Sequence, residues 1–223
     1  MTEAETLKAR RTARGRPHAG AVLHSAARYY DLMAGLLLRG RGGAFRERLV
    51  ELARLAPGER VLDVGCGTGS LALAARRRVR DAGAVHGIDA SPEMIAVARR
   101  KARAAALDVR FEEAAVQALP FPAAWFDAVL STLMLHHLPR PARGESLGEV
   151  RRVLTPGGRL LVVDFAAPTR GREGLLARLH RHGHVDAGDM RALLRDAEFD
   201  VVASGAVGVR DLHFALARAP GGG

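Results

Sequence analysis

Short apolar runs alternate with stretches of helical periodicity over most of the chain, and each run predicts a strand. The predicted strands are 61–64, 85–89, a third that begins at 109–111, 126–131, 159–165, 199–204 and 212–217. The predicted helices run from 71 to near 79, from 92 onward, over 145–154 and over 187–197. Ser91 and Pro92 are typical of the N-cap and the first position of a helix.

The organisation of the whole chain follows from this pattern. Residues 1–20 are polar and basic and contain glycine and proline, so we expect them to be disordered. Residues 21–56 carry apolar residues at helical spacing and form a separate helical segment. We expect a single domain over residues 57–218, followed by a disordered tail at 219–223.

A glycine-spaced turn joins the first predicted strand to the helix that follows. Glycines at 65, 67 and 69 let the backbone take positive φ and approach a ligand closely. The dinucleotide-binding pattern G-x-G-x-x-G is not matched, because position 70 is serine. Asp63, just before the first glycine, would repel a pyrophosphate and attract an ammonium group. Two alternatives remain for this stretch: a turn that binds no ligand, and a domain that binds a nicotinamide or flavin cofactor.

Three stretches carry a family resemblance. Asp63–Gly69 resembles the first motif of class I S-adenosylmethionine-dependent methyltransferases at every defining position. Gly87–Met94 is close to the second motif of that family, and Leu154–Gly158 to the third. Asp89 ends the second predicted strand, where an acid can accept hydrogen bonds from both hydroxyls of a ribose. The resemblance implies that S-adenosylmethionine is the cofactor.

The resemblance also implies a set of cofactor-binding residues. They are Asp63, Gly65, Cys66, Gly67, Thr68, Gly69, Asp89, Ala90, Met94, Ala115, Val116, Gln117 and Thr132. In the family, an aspartate after the third strand accepts a hydrogen bond from the adenine amino group, but the matching residue here is Ala115. The Val116 N–H can still bond a ring nitrogen, and Gln117 or Glu113 is an alternative acceptor for the amino group. Thr132 is expected near the methionyl end of the cofactor.

Tyr30, His136 and His137 are the candidate catalytic residues. The two histidines follow the fourth predicted strand, where the family has its pocket between cofactor and substrate, and histidine accepts protons near neutral pH. Tyr29–Met33 resembles the Tyr-Asp signature of ubiquinone and menaquinone biosynthesis C-methyltransferases. That resemblance implies that residues 21–56 form a helical lid over the substrate. The alternative for His136 is a structural role in the loop. The alternative for the lid is an ordinary packing helix.

Composition narrows the expected partners and location. The formal charge of +10 comes from scattered arginines that are not interleaved with aromatic residues, so nucleic acid is not the expected partner. Cys66 is the single cysteine, and no apolar run is long enough to span a membrane, which together favour the cytoplasm. His180, His182 and His184 have the spacing of a strand, and we expect no metal there.

The resemblance implies a fold and a reaction. The fold is an α/β, Rossmann-like sheet of seven mostly parallel strands, with the last strand antiparallel and helices on both faces. The function is methyl transfer from S-adenosylmethionine to a small-molecule acceptor, such as a quinone, a phenol or another biosynthetic intermediate. A cofactor-binding partner or regulator without methyl transfer is the first alternative, and an RNA methyltransferase is the second. Against the second, Ser131–Met134 stands where base N-methylating enzymes carry Asn/Asp-Pro-Pro-Tyr/Phe.

Overall fold

The computed structural model describes residues 42–165, 187–209 and 212–221, and its core is one sheet. The strands are β1 (Arg60–Val64), β2 (Ala84–Asp89), β3 (Arg110–Glu113), β4 (Phe126–Thr132), β5 (Leu154–Phe165), β6 (Asp200–Ala206) and β7 (Leu212–Arg218). Their order is β3-β2-β1-β4-β5-β7-β6. Only β7 runs against its neighbours, because it pairs antiparallel with both β5 and β6. The predicted seven-stranded fold with an antiparallel last strand is confirmed.

Helices cover both faces of the sheet. Over the described residues they are α1 (Gly42–Leu52), α2 (Ser70–Val79), α3 (Pro92–Ala104), α4 (Arg140–Val153) and α5 (Ala187–Asp196), with a 3-10 turn at Leu135–His137. α1, α2 and α3 pack on one face, and α4 and α5 on the other. The side chains of β1 alternate between the two layers, so Val61 faces α2 and Leu62 faces α4. None of the helices described here is long and apolar enough to cross a membrane.

The first residues of α2 and α3 are organised differently. α3 begins as predicted, because the Ser91 side chain accepts a hydrogen bond from the Met94 N–H at 3.2 Å and Pro92 occupies the first turn. α2 begins after Gly69, which has a φ of 77° and no side chain that could cap the helix. Gly69 therefore leaves the first N–H groups of α2, which lie at the end of β1, to partners outside the capping position.

The sequence predicts a lid over residues 21–56, but the described part of that segment belongs to the core. Leu49 and Val50 of α1 are 1% and 2% exposed and pack with α2 and the sheet. The carbonyl of Ala53 accepts a hydrogen bond from Arg159 Nε at the edge of the sheet opposite to the glycine turn. The apolar face of α1 is thus used for packing. The rest of the segment, with the predicted disordered N-terminus, lies outside the described residues.

Two other boundaries differ from the prediction. α4 begins about one turn earlier than predicted, because Pro141 in its first turn already has a φ suited to a helix. After β7, Ala219 and Pro220 are hydrogen-bonded to the backbone of residues 157–158. The ordered chain therefore continues past the predicted end of the domain.

Candidate functional site

The glycine turn between β1 and α2 has the backbone that its sequence predicts. Gly65, Gly67 and Gly69 have φ values of 67°, 52° and 77°. A Cβ at Gly65 would lie 2.5 Å from Met134 Cγ, and a Cβ at Gly69 would lie 2.6 Å from Phe111 Cζ. Glycine at these positions therefore allows both the left-handed backbone and the close packing around the turn.

Asp89 lies at the end of β2 with both carboxylate oxygens held by the backbone. One oxygen accepts a hydrogen bond from the Gly67 N–H at 2.8 Å, and the other accepts one from the Ser91 N–H at 2.9 Å. The Cys66 N–H also donates to the Ile88 carbonyl at 2.8 Å, which joins the turn to β2. The carboxylate is thus fixed beside the glycine turn, and each oxygen keeps a lone pair for a ligand hydroxyl.

Asp63 has a different environment from Asp89. It is 2% exposed and accepts a hydrogen bond from the Ala72 N–H at the start of α2. Its Oδ2 has no hydrogen-bond partner among the described residues. Burial raises the pKa of Asp63 to about 8, with a smaller contribution from the charge of Asp89 and against the effect of the Ala72 N–H. Among the described residues, the Ala72 N–H alone supports the charged form of the carboxyl group, and Oδ2 receives no hydrogen bond.

Two hydroxyl groups at the end of β4 are also buried without a partner in the described part of the chain: Ser131 Oγ and Thr132 Oγ1. Thr132 and Asp63 lie on the same face of the sheet, on the neighbouring strands β4 and β1. A buried polar group without a hydrogen bond is rare and costs about 1–3 kcal/mol. Asp63 Oδ2 and Thr132 Oγ1 fit a polar, cationic group bound between the carboxyl ends of the two strands, such as the ammonium group of a methionyl moiety, whereas Ser131 lies on the opposite face.

Four other predicted cofactor residues divide into two pairs. Cys66 packs in the core, where burial raises the pKa of its thiol, and the buried Thr68 hydroxyl accepts a hydrogen bond from Lys101 Nζ at 2.8 Å. Their side chains therefore support the turn from the protein side. Ala90 is exposed and Met94 is half-buried, so both side chains are at least partly accessible to a ligand.

The loop after β3 (residues 114–121), which the sequence predicts beside the adenine, is held by α4. The Leu119 N–H donates to Glu149 Oε2 at 2.8 Å, and the Leu119 carbonyl accepts from Arg152 Nη2 at 3.0 Å. Val116 is 7% exposed, while its two neighbours in the chain are half-buried. The Val116 N–H donates to no backbone carbonyl of the described residues, which leaves it available to a ligand.

His136 lies in the 3-10 turn after β4 and contacts a carboxylate to which the sequence assigns no role. Its Nδ1 is 2.7 Å from Oδ1 of Asp164, near the end of β5, and its backbone N–H donates to the other carboxylate oxygen at 3.2 Å. Arg143 Nε holds the same turn by donating to the carbonyls of Leu135 and Leu138, each at 3.0 Å. The sequence signal for Asp164 was only its position near the end of the fifth predicted strand.

The remaining predicted catalytic residues do not take part in the contact between His136 and Asp164. The ring of His137 lies 3.9 Å from that of His136, centroid to centroid. Although His137 is exposed, its pKa is lowered, mainly by desolvation within the protein and then by the charge of His136. Tyr30 and the histidines at 180–184 lie outside the described residues. Within the described ranges, no group of histidine, cysteine and acidic side chains could hold a metal ion.

Sequence comparisons identify relatives of the chain. A family model for the methyltransferase domain matches residues 61–158. The demethylmenaquinone methyltransferase of Thermus thermophilus is 44% identical over 151 residues, which cover 68% of this chain and 67% of that protein. The ubiquinone/menaquinone biosynthesis C-methyltransferase of Azotobacter vinelandii is 37% identical over 172 residues, which cover 76% of this chain and 64% of that protein. The chain thus spans about two thirds of the length of these curated relatives.

Solved structures share the fold. A SAM-dependent methyltransferase from Aquifex aeolicus aligns with a TM-score of 0.75 and 23% identity over 89% of this chain and 100% of its own. The [4+2]-cyclase SpnF aligns with a TM-score of 0.66 and 26% identity, covering 79% of this chain and 82% of its own. The glycine turn, the paired Asp89 and the identity to the Thermus enzyme lead to one assignment. The chain belongs to the class I S-adenosylmethionine-dependent methyltransferase family.

Proposed function

We propose that the protein transfers a methyl group from S-adenosylmethionine to a ring carbon of a small quinol-type acceptor. One observation carries the proposal: Asp89 is fixed beside the glycine turn, while Asp63 Oδ2 and Thr132 Oγ1 are buried without partners among the described residues. The names of the relatives, which refer to quinone biosynthesis and C-methylation, support the acceptor class. When bound, the cofactor supplies an electrophilic methyl group on a sulfonium centre.

The chain's own groups would hold the cofactor along the carboxyl ends of three strands. Asp89 would accept hydrogen bonds from the ribose hydroxyls, because its carboxylate is already oriented by two N–H groups. Asp63 would lose its proton and pair with the ammonium group, which removes the cost of its burial. Thr132 would bond the same methionyl end, and the Val116 N–H would bond the adenine ring.

The remaining task of the protein is to align the acceptor and exclude water, which is an effect of orientation. The side chain of Met134 covers Gly65 and forms a wall next to the methionyl position. Tyr30 and the first part of the predicted lid complete the acceptor side in this proposal, and His137 is a secondary candidate for contact with the acceptor. The proposal also includes a cytoplasmic location, since the single cysteine suits a reducing compartment.

Calorimetry and product analysis test the proposal. The full chain should bind S-adenosylmethionine and S-adenosylhomocysteine, and it should not bind NAD. Incubation with S-adenosylmethionine and 1,4-naphthohydroquinone, kept reduced, should yield a ring-methylated product and an equal amount of S-adenosylhomocysteine by mass spectrometry. Binding of NAD without binding of S-adenosylmethionine would refute the assignment of the site.

Two other outcomes would favour the alternatives. Binding of S-adenosylmethionine without release of S-adenosylhomocysteine, over a panel of hydroquinones, phenols and amines, would indicate a binding or regulatory protein. The [4+2]-cyclase SpnF, which shares the fold, supports considering this outcome, because its name is not that of a methyltransferase. Retention on RNA at physiological salt, with methylation of the RNA, would indicate a nucleic-acid substrate.

A further inference from the structure

The proposed contacts with the cofactor do not include the pair formed by His136 and Asp164. Asp164 is 1% exposed and accepts three hydrogen bonds, from His136 Nδ1 at 2.7 Å, from the His136 N–H at 3.2 Å and from the Phe165 N–H at 2.8 Å. An ionised carboxylate can only accept hydrogen bonds, so the nitrogen of His136 that faces it must carry a hydrogen. The contact therefore selects the Nδ1–H tautomer of the neutral ring.

The other ring nitrogen of His136 is left as a proton acceptor. None of the described residues makes a hydrogen bond to Nε2. The side chain is 16% exposed and lies against the rings of Phe165 and His137, with centroids 5.1 Å and 3.9 Å away. Met134, two residues earlier, covers the glycine turn. A proton-accepting nitrogen thus lies at the carboxyl ends of β4 and β5, next to the strand end where the methionyl group is expected.

We propose that Asp164 is a positioning residue that keeps His136 in the Nδ1–H tautomer, so that His136 Nε2 accepts the hydroxyl proton of a phenolic acceptor. This inference rests on the proposed function and narrows the acceptor to a phenol or hydroquinone whose reacting carbon is ortho to a hydroxyl group. The dyad acts like other histidine–aspartate pairs, in which the carboxylate fixes the orientation and the tautomer of the base.

The hydroxyl proton moves to His136 Nε2, and its electron pair stays on oxygen and raises the electron density at the ortho carbon. That carbon forms a bond to the methyl group as the methyl–sulfur bond breaks, and the electrons of the broken bond stay on sulfur. The ring carbon then releases its own proton to solvent as aromaticity returns, and the imidazolium gives its proton back to the oxygen. The net products are the methylated phenol, S-adenosylhomocysteine and one proton.

Other charged and titratable groups surround the dyad. Arg143 on α4 holds the 3-10 turn, and its charge acts on Asp164. His213 on β7 is opposite Asp164 in the β5–β7 ladder, and His137 stacks on the base. Asp89 also acts electrostatically on His137. A test of the dyad must therefore change the aspartate while it leaves these groups in place.

NMR of full-length protein labelled with 15N-histidine reads the tautomer directly, without cofactor or acceptor. The signals of His136 are those that disappear in His136→Gln. We expect the Nδ1–H form in the wild type and a shift toward the Nε2–H form in Asp164→Asn, because an asparagine amide can donate to Nδ1. Asp127→Asn is the matched control, since Asp127 also accepts a backbone hydrogen bond, from Arg60 at 2.8 Å, but lies at the opposite edge of the sheet.

Kinetics with 1,4-naphthohydroquinone supply the second readout. Asp164→Asn should lower kcat at least tenfold while the Kd for S-adenosylmethionine stays within twofold of the wild type, and Asp127→Asn should change neither. An unchanged tautomer, a wild-type kcat, or a loss of cofactor affinity as large as the loss of kcat would each overturn the positioning role. Failure of the wild type to bind S-adenosylmethionine would instead refute the proposed function, and the tautomer would still decide whether Asp164 orients His136.

Discussion

The two carboxylates of the proposed cofactor site, Asp89 at the end of β2 and Asp63 within β1, are held in opposite ways. Both oxygens of Asp89 accept hydrogen bonds, from the N–H groups of Gly67 and Ser91. Asp63 keeps one oxygen without a partner among the described residues, and burial raises its pKa to about 8. Asp89 is therefore oriented before a ligand arrives, whereas Asp63 carries an oxygen that no described residue satisfies.

This difference separates two contributions to affinity. A carboxylate that is already oriented needs little reorganisation on binding, so its hydrogen bonds to the ligand contribute with a small loss of entropy. A buried carboxyl without a partner destabilises the ligand-free protein, and part of that cost is recovered when a cation binds. Asp89 should therefore affect mainly affinity, while Asp63 should affect affinity and stability in opposite directions.

The largest effect on S-adenosylmethionine binding is expected at Gly67, the residue of the glycine turn that is hydrogen-bonded to Asp89. Gly67→Val should abolish S-adenosylmethionine binding, because a β-branched residue is strained at a φ of 52° and displaces the N–H that fixes Asp89. Calorimetry measures the loss, and circular dichroism checks that the fold remains. Gly144→Val is the matched control, since an added Cβ at Gly144 meets nothing within 4 Å. Retained binding in Gly67→Val would contradict the role of the turn.

The next effect concerns Asp89 itself. Asp89→Ala should weaken S-adenosylmethionine binding by roughly 1.5–3 kcal/mol, the usual value of hydrogen bonds to a charged acceptor. Asp127→Ala removes a carboxylate that also accepts a backbone hydrogen bond, but at the far edge of the sheet, and should leave the Kd unchanged. An unchanged Kd in Asp89→Ala would remove this residue from the ligand site.

Asp63 should make cofactor binding depend on pH. Its pKa is raised in the ligand-free fold, so the folded state holds an extra proton between the ordinary value of 3.8 and about 8, and stability falls as pH rises through that window. Pairing with an ammonium group needs the ionised form, so S-adenosylmethionine should bind more tightly as pH rises from 5.5 to 7.5, by up to about tenfold per pH unit. Calorimetry at several pH values measures this slope.

Asp63→Asn should sharpen the contrast between the two carboxylates. The variant should bind S-adenosylmethionine weakly and without the pH slope, because its side chain does not ionise. Its Tm near pH 8 should exceed that of the wild type, by about 2–4 °C for each kcal/mol of burial cost that is removed. A variant with the wild-type slope, or with a lower Tm near pH 8, would show that Asp63 is not the group responsible.

The smallest effect is expected at the adenine loop, where the usual acidic side chain is missing. Ala115→Asp should tighten S-adenosylmethionine binding by roughly 0.5–1.5 kcal/mol, the net value of one added hydrogen bond. The competing interpretation gives the role to Gln117 or Glu113. In that case Ala115→Asp is neutral or harmful, and Gln117→Ala or Glu113→Ala weakens binding instead. The Kd values of the three variants distinguish the two interpretations.

The sequence predicted those parts of the site whose residues are close together in the chain. The positive φ values at Gly65, Gly67 and Gly69 and the cap of α3 at Ser91 arise from local backbone preferences, so a short motif contains the information. The position of Asp89 is likewise a local feature, because Asp89 ends β2 two residues before the Ser91 cap. The seven-stranded, mostly parallel sheet with an antiparallel last strand followed from a family resemblance, and the structure confirmed it, whereas the order of the strands came from the structure.

The tertiary structure alone decided how the side chains are paired and charged. Asp164 meets His136 across 28 residues of sequence, because β4 and β5 are neighbours and end at the same edge of the sheet. The described part of the predicted lid packs into the core, because the apolar face of α1 is buried against α2. The sequence placed Asp63 beside a glycine turn, but its raised pKa depends mainly on complete burial, which only the packed sheet creates.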